Sequence, residues 1–359
     1  MKIIHLCESI TGGIATYLNE LIPVQLEKYG KENIKVVVSE EQMSEICFEK
    51  SNISTFGTIN RNSLVKQVSM LISYIRLVRK FNPNVIHLHS TFSGFWFRLY
   101  LLLTMQKKYT VIYCSHGWAF DRETSLFNKQ IIKVIERALQ IVTTKIVCIS
   151  ENDYKTALNH GLNPEKLKII KNSVTKFQIN KSISPKLPGH TRNFLFVGRF
   201  DKQKGFDLIT SALKRCNKND INVYCIGDFV VSKNTKDDLV DDRLTFLGWR
   251  TKEEVLSYMS VCDVLLVPSR WEGFGLVAIE SLLANCPVFH SGAGGLAEHH
   301  RDTSFYRKIT SPVDVGLLEI FQQVSKDELT HAKADLERDY NYDYSVKQLA
   351  IDLDKLYRC

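Results

Sequence analysis

Short runs of β-branched and aromatic residues alternate along the chain with segments whose apolar positions recur at helical spacing. Lys2 to Cys7, Ile34 to Ser39, Val85 to His89, Thr110 to Cys114, Lys145 to Ser150 and Leu167 to Ile170 read as strands. A polar, proline-bearing stretch from Thr175 to Arg192 follows. The alternation then restarts with Phe194 to Val197, Asn222 to Ile226, Leu244 to Phe246, Val264 to Val267 and Pro287 to His290. Runs such as Val264-Leu265-Leu266-Val267 are apolar on both faces, as in strands that helices cover on each side. The pattern predicts an α/β chain of two Rossmann-like, doubly wound parallel-sheet domains facing a central cleft: residues 1–175, a linker 176–192, and 193–340. The final segment, Tyr344 to Tyr357, mixes Val346, Leu349, Ile351, Leu353 and Leu356 with charges and reads as an amphipathic helix. Residues 341–359 are expected to pack back on the first domain.

Length agrees with this division, because 359 residues exceed what one hydrophobic core usually serves. The nine cysteines are never two or three residues apart, which argues against a zinc site or a disulfide framework. Met1 to Glu8 meets a charge before any signal-peptide core could form, so export is not expected. The apolar stretch from Phe92 to Met105 is interrupted by Ser93, Gly94 and Arg98 and is too short for a bilayer core of about 30 Å. The expected location is cytoplasmic, with peripheral contact on the inner face of the membrane. Charge supports that contact: the net charge is +8, and residues 51–150 hold 13 basic against 3 acidic residues. Many of these cations, around Arg98, Lys107 and Lys108, are interleaved with bulky apolar residues. Such a face suits an anionic lipid surface, at about 1 kcal/mol per basic residue, although a solvated basic surface would look the same.

In doubly wound sheets, chemistry belongs to the loops that follow the strands. The first strand leads to Gly12-Gly13 ahead of a helical pattern, either a tight turn or a loop that lets backbone approach phosphate at a helix start. The second domain opens with a strand followed by Gly198-Arg199 and then Lys204-Gly205, whose two cations could hold a diphosphate as negative charge grows on it. After the strand Val264 to Val267 come Glu272-Gly273-Phe274-Gly275-Leu276 and, one turn into a helix, Glu280. Carboxylates accept hydrogen bonds, and sugar and ribose hydroxyls donate them. Ser115-His116-Gly117 follows another strand. His87 and His89 project from one strand face and read as packing residues, since no third metal ligand is spaced to join them.

Glu272 to Glu280 is the Glu-x7-Glu pattern of retaining glycosyltransferases with the two-domain GT-B fold. Gly12-Gly13, Gly198-Arg199 to Lys204-Gly205, Gly227, Leu247-Gly248-Trp249 and Gly294-Gly295-x-x-Glu298 follow in matching order. Over nearly its whole length the chain resembles glycosyltransferase family 4 and, within it, bacterial surface-polysaccharide enzymes. The resemblance implies that Arg199 and Lys204 hold the donor diphosphate with Gly198, that Glu280 takes the ribose, and that Gly248 and Trp249 line the base. Glu272 and the Phe274, Gly275 and Leu276 backbone would take the transferred sugar, with His116 beside it and Gly12 and Gly13 near the donor. One departure is Lys171-Asn172-Ser173-Val174, where family members often read Pro-Asn-Gly-Val.

The implied activity is retaining transfer of a hexose or N-acetylhexosamine from a nucleotide diphosphate sugar, by family habit a UDP-sugar, to a glycan acceptor. By the same habit the acceptor is lipid-linked and the product a surface polysaccharide such as O-antigen, capsule or exopolysaccharide. Neither cofactor nor metal is expected, and nucleic acid is not an expected partner. A metal-dependent transferase would want Asp-x-Asp after a strand, and the clear instance, Asp352-Leu353-Asp354, lies in the terminal helix. The residues also leave open a nucleotide-sugar epimerase or hydrolase of the same fold, and a non-catalytic module that binds membrane or nucleic acid.

Overall fold

The computed structural model describes residues 1–58, 60–121, 125–229, 241–341 and 344–359, and every count below refers to these. The chain divides into two compact units, Met1–Thr175 with Tyr344–Cys359, and Lys176–Asp343.

The first unit is built on a parallel sheet of seven strands, β1 (Ile3–Cys7), β2 (Ile34–Ser39), β3 (Ile53–Phe56), β4 (Val85–His89), β5 (Thr110–Cys114), β6 (Lys145–Cys148) and β7 (Leu167–Ile169). Their spatial order is β3-β2-β1-β4-β5-β6-β7, so the direction of winding reverses between β1 and β4. Those two strands pair in register, with Ile3 opposite Val85, His5 opposite His87 and Cys7 opposite His89. Alternation along a strand sends Ile4, Leu6, Ile86 and Leu88 to one face, where they meet Tyr74 and Val78 of α2 (Leu64–Phe81) and Phe97 and Leu101 of α3 (Thr91–Leu103). Helix α4 (Leu126–Leu139) lies beside α3. The other face carries His5, His87 and His89 and meets α1 (Gly13–Tyr29) and the terminal helix (Val346–Tyr357).

Arg98 of α3 does not join a basic surface. Its side chain is fully buried, bonded to Glu136 of α4 at 2.9 Å, with the guanidinium 3.6 Å from the Tyr113 ring centroid. A charge in that position is tolerated because its partner is buried with it.

The second unit repeats the plan with six parallel strands, β8 (Arg192–Val197), β9 (Ile221–Ile226), β10 (Leu244–Gly248), β11 (Val264–Val267), β12 (Val288–His290) and β13 (Tyr306–Lys308), in the order β10-β9-β8-β11-β12-β13. Winding reverses between β8 and β11, the two strands whose following loops carry Gly198 to Gly205 and Glu272 to Gly275. Residues 176–192, read from the sequence as a linker, fall within this unit, where Phe177, Ile179 and Leu187 pack against its core. Strands β3 and β13 were not foreseen. Both are short edge strands, and β13 offers only Tyr306-Arg307-Lys308 as a signal.

The helices of this unit are α6 (Phe206–Arg215), α7 (Lys252–Val261), α8 (Leu276–Leu283), α9 (Val313–Gln323) and α10 (Lys326–Asp339), after α5 (Glu151–Asn159) in the first; the terminal helix is α11. No helix among the described residues is long and apolar enough to cross a membrane.

Candidate active site

In the second unit, β8 runs into Gly198 and a loop that ends at Gly205, the residue before α6. Within that loop Arg199 donates to Gln203 Oε1 at 2.7 Å and pairs with Asp201 at 3.1 Å. Asp201 Oδ1 also accepts the Lys204 backbone N-H at 2.9 Å. Lys204 is thereby turned toward the loop after β11, where its Nζ meets Glu272 Oε2 at 2.6 Å. Ser269 Oγ donates to the same carboxylate oxygen at 3.3 Å. The two loops are fastened further by Arg270, whose backbone N-H reaches Gln203 O at 2.8 Å and whose guanidinium grips both oxygens of Asp207 at 2.7 Å.

Glu272 is held from behind as well. A Cβ on Gly294 would stand 1.7 Å from the Glu272 carbonyl oxygen, so only glycine allows the turn Gly294–Glu298 to close on this backbone. Gly275 takes a left-handed conformation, φ 88°, to start α8, and the Phe274 and Leu276 side chains are buried. Phe274, Gly275 and Leu276 are buried as whole residues, and the Phe274 carbonyl lies 2.6 Å from His299 Nε2. Glu280, on α8, lies 3.7 Å from Lys252. The two glutamates of the motif are thus held by different cations. Gly248 ends β10 with φ 71°, and the Trp249 ring beyond it is 58% exposed.

In the first unit, Gly12 precedes α1 with φ 61°, and both it and Gly13 are exposed. His116 follows β5 with φ 55°, and its Nε2 lies 2.9 Å from His89 Nδ1. The ring of Tyr17 packs edge-on against His116 at 5.0 Å.

His87 and His89 do have a third histidine beside them, which corrects the sequence reading. His5, His87 and His89 each offer a ligand nitrogen within 4.8 Å of the other two, and all three are fully buried. Their rings do not form a cage: His87 and His89 stack face to face at 4.1 Å, so their in-plane lone pairs do not converge. His5 and His89 instead bond each other, Nδ1 to Nε2, at 3.0 Å. Burial keeps these rings neutral, pushing His5 down to about 4 and His87 and His89 well below the ordinary histidine value. Gln25 and Tyr357, which complete this group, were missed from the sequence. The available signal was a glutamine in the buried stripe Leu18, Leu21, Ile22, Gln25 of α1.

Asp352 and Asp354 are occupied on α11. The first pairs with Lys355 at 2.8 Å, the second with Lys28 and Arg358 at 3.0 Å.

Two Rossmann-like parallel-sheet units make the plan of the GT-B architecture, and the second sets a lysine–glutamate pair at its winding reversal. The chain belongs to glycosyltransferase family 4: residues 11–175 match Glycosyltransferase Family 4, and residues 178–333 match Glycosyl transferases group 1. An uncharacterised 41.2 kDa protein in the cps region of Klebsiella pneumoniae is 34% identical over 308 residues, 83% of each chain. The Escherichia coli UDP-Gal:α-D-GlcNAc-diphosphoundecaprenol α-1,3-galactosyltransferase is 30% identical over 257 residues, 66% of this chain. The match spans 65% of that enzyme's own length. Among solved structures, Anabaena HepE in complex with UDP and glucose has the same fold, with a TM-score of 0.72 at 16% identity over 99% of this chain and 98% of that one.

Proposed function

We propose that this chain is a retaining, metal-independent hexosyltransferase that moves a hexose or N-acetylhexosamine from a UDP-sugar to a lipid-linked glycan during surface polysaccharide synthesis. The observation that carries this reading is the Lys204–Glu272 pair at 2.6 Å, at the carboxyl ends of β8 and β11. It sets a cation for a leaving phosphate against an acceptor for sugar hydroxyls. Arg199 and Lys204 supply the positive charge that a metal would otherwise bring to a diphosphate. Gly198 gives close access to it, Glu280 takes the ribose, and Gly248 and Trp249 receive the base. In the second unit Glu272 and the backbone of Phe274, Gly275 and Leu276 hold the sugar; in the first, His116, Gly12 and Gly13 are the candidate substrate-binding residues. The acceptor hydroxyl attacks on the face from which the diphosphate departs, and the departing phosphate takes its proton. Protein groups then act by positioning and charge stabilisation. The choice of a UDP donor and a lipid-linked acceptor leans on what the E. coli relative is named for, and surface polysaccharide on the Klebsiella relative's cps region.

Uridine diphosphate should raise the melting temperature of the chain in excess chelator. Ligand at a hundredfold its dissociation constant adds about 2.7 kcal/mol. If uridine, guanosine and adenosine diphosphates all leave the melting temperature unchanged, the donor site is wrong. If the shift disappears in chelator, metal independence is wrong.

Peripheral membrane contact is supported by exposed apolar side chains on the helices beside α3. Leu64 and Val65 on α2 are 63% and 79% exposed, and Leu126 and Phe127 on α4 are 82% and 73% exposed. Exposed Lys66 and Arg76 on α2 and Lys107 and Lys108 after α3 accompany them. Apolar side chains flanked by cations suit the surface of an anionic bilayer. The chain should float with vesicles containing anionic lipid and not with neutral ones, and Val65→Glu with Phe127→Glu should weaken this. Equal recovery from both vesicle types would reject the assignment.

A further inference from the structure

The face of the first sheet under α1 and α11 carries a continuous line of hydrogen bonds. His116 Nε2 meets His89 Nδ1 at 2.9 Å, and His89 Nε2 meets His5 Nδ1 at 3.0 Å. His5 Nε2 meets Gln25 Oε1 at 2.8 Å, Gln25 Nε2 donates to the Tyr357 hydroxyl at 3.1 Å, and that hydroxyl meets His87 Nδ1 at 2.8 Å. The contacts His5–His89 and His89–His116 have centroids 5.2 Å apart and planes within 20° and 26°, the side-by-side arrangement of N-H to N bonding. Gln25, Tyr357 and the three inner histidines are buried, and only His116 is partly exposed.

A neutral imidazole has one N-H and one lone pair, so each bond in such a line dictates the next. The Gln25 carbonyl can only accept, which puts the His5 proton on Nε2 and leaves Nδ1 bare. His89 must then donate from Nε2 and accept at Nδ1, and His116 must donate from Nε2. On the other side, the Gln25 amide N-H occupies a Tyr357 lone pair, and the Tyr357 O-H is given to His87 Nδ1. His87 Nε2 is the inner end of the line, with no hydrogen-bond partner in the structure. Turning the Gln25 amide over would reverse every bond, so Gln25 selects between two opposite proton orders.

We propose that Gln25, His5, His89 and Tyr357 are positioning residues that fix the tautomer of His116, holding its proton on Nε2 and presenting Nδ1 as a hydrogen-bond acceptor to a substrate hydroxyl. The tautomer is a property of the first unit alone. The hydroxyl rests on the functional reading above. The line extends to α11, so a residue of the terminal helix acts on His116 through four hydrogen bonds.

The test is a long-range proton–nitrogen correlation spectrum of the full chain labelled with 15N-histidine, with the His116 signals identified by their loss in His116→Asn. The wild-type chain should show Nε2 protonated and Nδ1 bare. Gln25→Met removes the acceptor, and Tyr357→Phe removes the hydrogen bond on the amide's other side; each should convert His116 to a mixture of tautomers. Losing one neutral hydrogen bond to substrate should lower kcat/KM of Gln25→Met about fivefold. A proton on Nδ1 of His116 in the wild-type chain would overturn the proposal, as would folded variants with an unchanged His116 pattern. Should neither variant fold, the wild-type spectrum still decides. A fixed Nε2–H tautomer in a chain that transfers no sugar would keep the relay and reject the functional reading. Full transfer with an unchanged pattern in both variants would do the reverse.

Discussion

Lys204→Ala should lower kcat/KM for sugar transfer by roughly 10²- to 10³-fold, the usual cost of removing one preorganised group from developing negative charge. Lys204 is the cation that touches Glu272, at 2.6 Å, whereas Arg199 is engaged with Asp201 and Gln203 within its own loop. On the proposed function, the substitution removes the charge facing the leaving phosphate, and it leaves Glu272 without its ion pair. Arg199→Ala should act in the same direction through the phosphate alone. The Lys204 and Glu272 side chains are only 23% and 12% exposed, so removing the lysine leaves a largely buried carboxylate unpaired and should also lower the melting temperature somewhat. Acceptor KM should stay near wild type while kcat falls. Unchanged turnover in Lys204→Ala would remove Lys204 from the chemistry. A parallel collapse of the melting temperature would make its role structural.

The motifs after β8 and β11 were legible because each follows a strand that the apolar pattern reveals. What the pattern does not contain is lateral order. Lys204 and Glu272 lie 68 positions apart, and they meet because β8 and β11 are neighbours at the winding reversal. The same limit explains the missed histidine. Period-two alternation puts His87 and His89 on one face, but only the pairing of β1 with β4 sets His5 opposite His87. Gln25 and Tyr357 belong to helices whose docking on that face depends on tertiary packing, so helical periodicity alone could not bring them to the histidines. Arg98 was misread for a related reason. A cation in an apolar run looks like a surface residue unless its buried partner, Glu136, is known, and that partner lies 38 positions away. Strand β13 was lost because an edge strand needs few apolar residues, and its Arg307 and Lys308 are not fully buried.

Acidification should unfold the first unit well before its carboxylates titrate. His5, His87 and His89 are held neutral chiefly by burial, His5 pushed down to about 4 and the other two lowered further by neighbouring histidines. An unfolded histidine takes up its proton near pH 6.5, so below that pH the unfolded chain binds protons that the folded chain refuses. Stability is accordingly intact above about pH 6.5 and is lost as pH falls toward 4, at about 1.4 kcal/mol per pH unit for each of the three groups. His116, at the end of the same line, is likewise pushed down to about 3 by burial, so the loss deepens with each ring the folded chain keeps neutral. Carboxylates held low by cations, such as Asp220 beside Arg192 and Asp241 beside Arg243, cannot mimic this, because their contribution is lost only below the ordinary carboxylate range. Calorimetric scans across this range should show the transition of the first unit moving down steeply with acid. His87→Leu, which removes one such group and its unpartnered Nε2, should make the dependence shallower by about one proton. A transition that stays put from pH 7.5 to 5 would mean that the buried histidines take up protons as readily folded as unfolded, and the neutral hydrogen-bonded line would have to be abandoned.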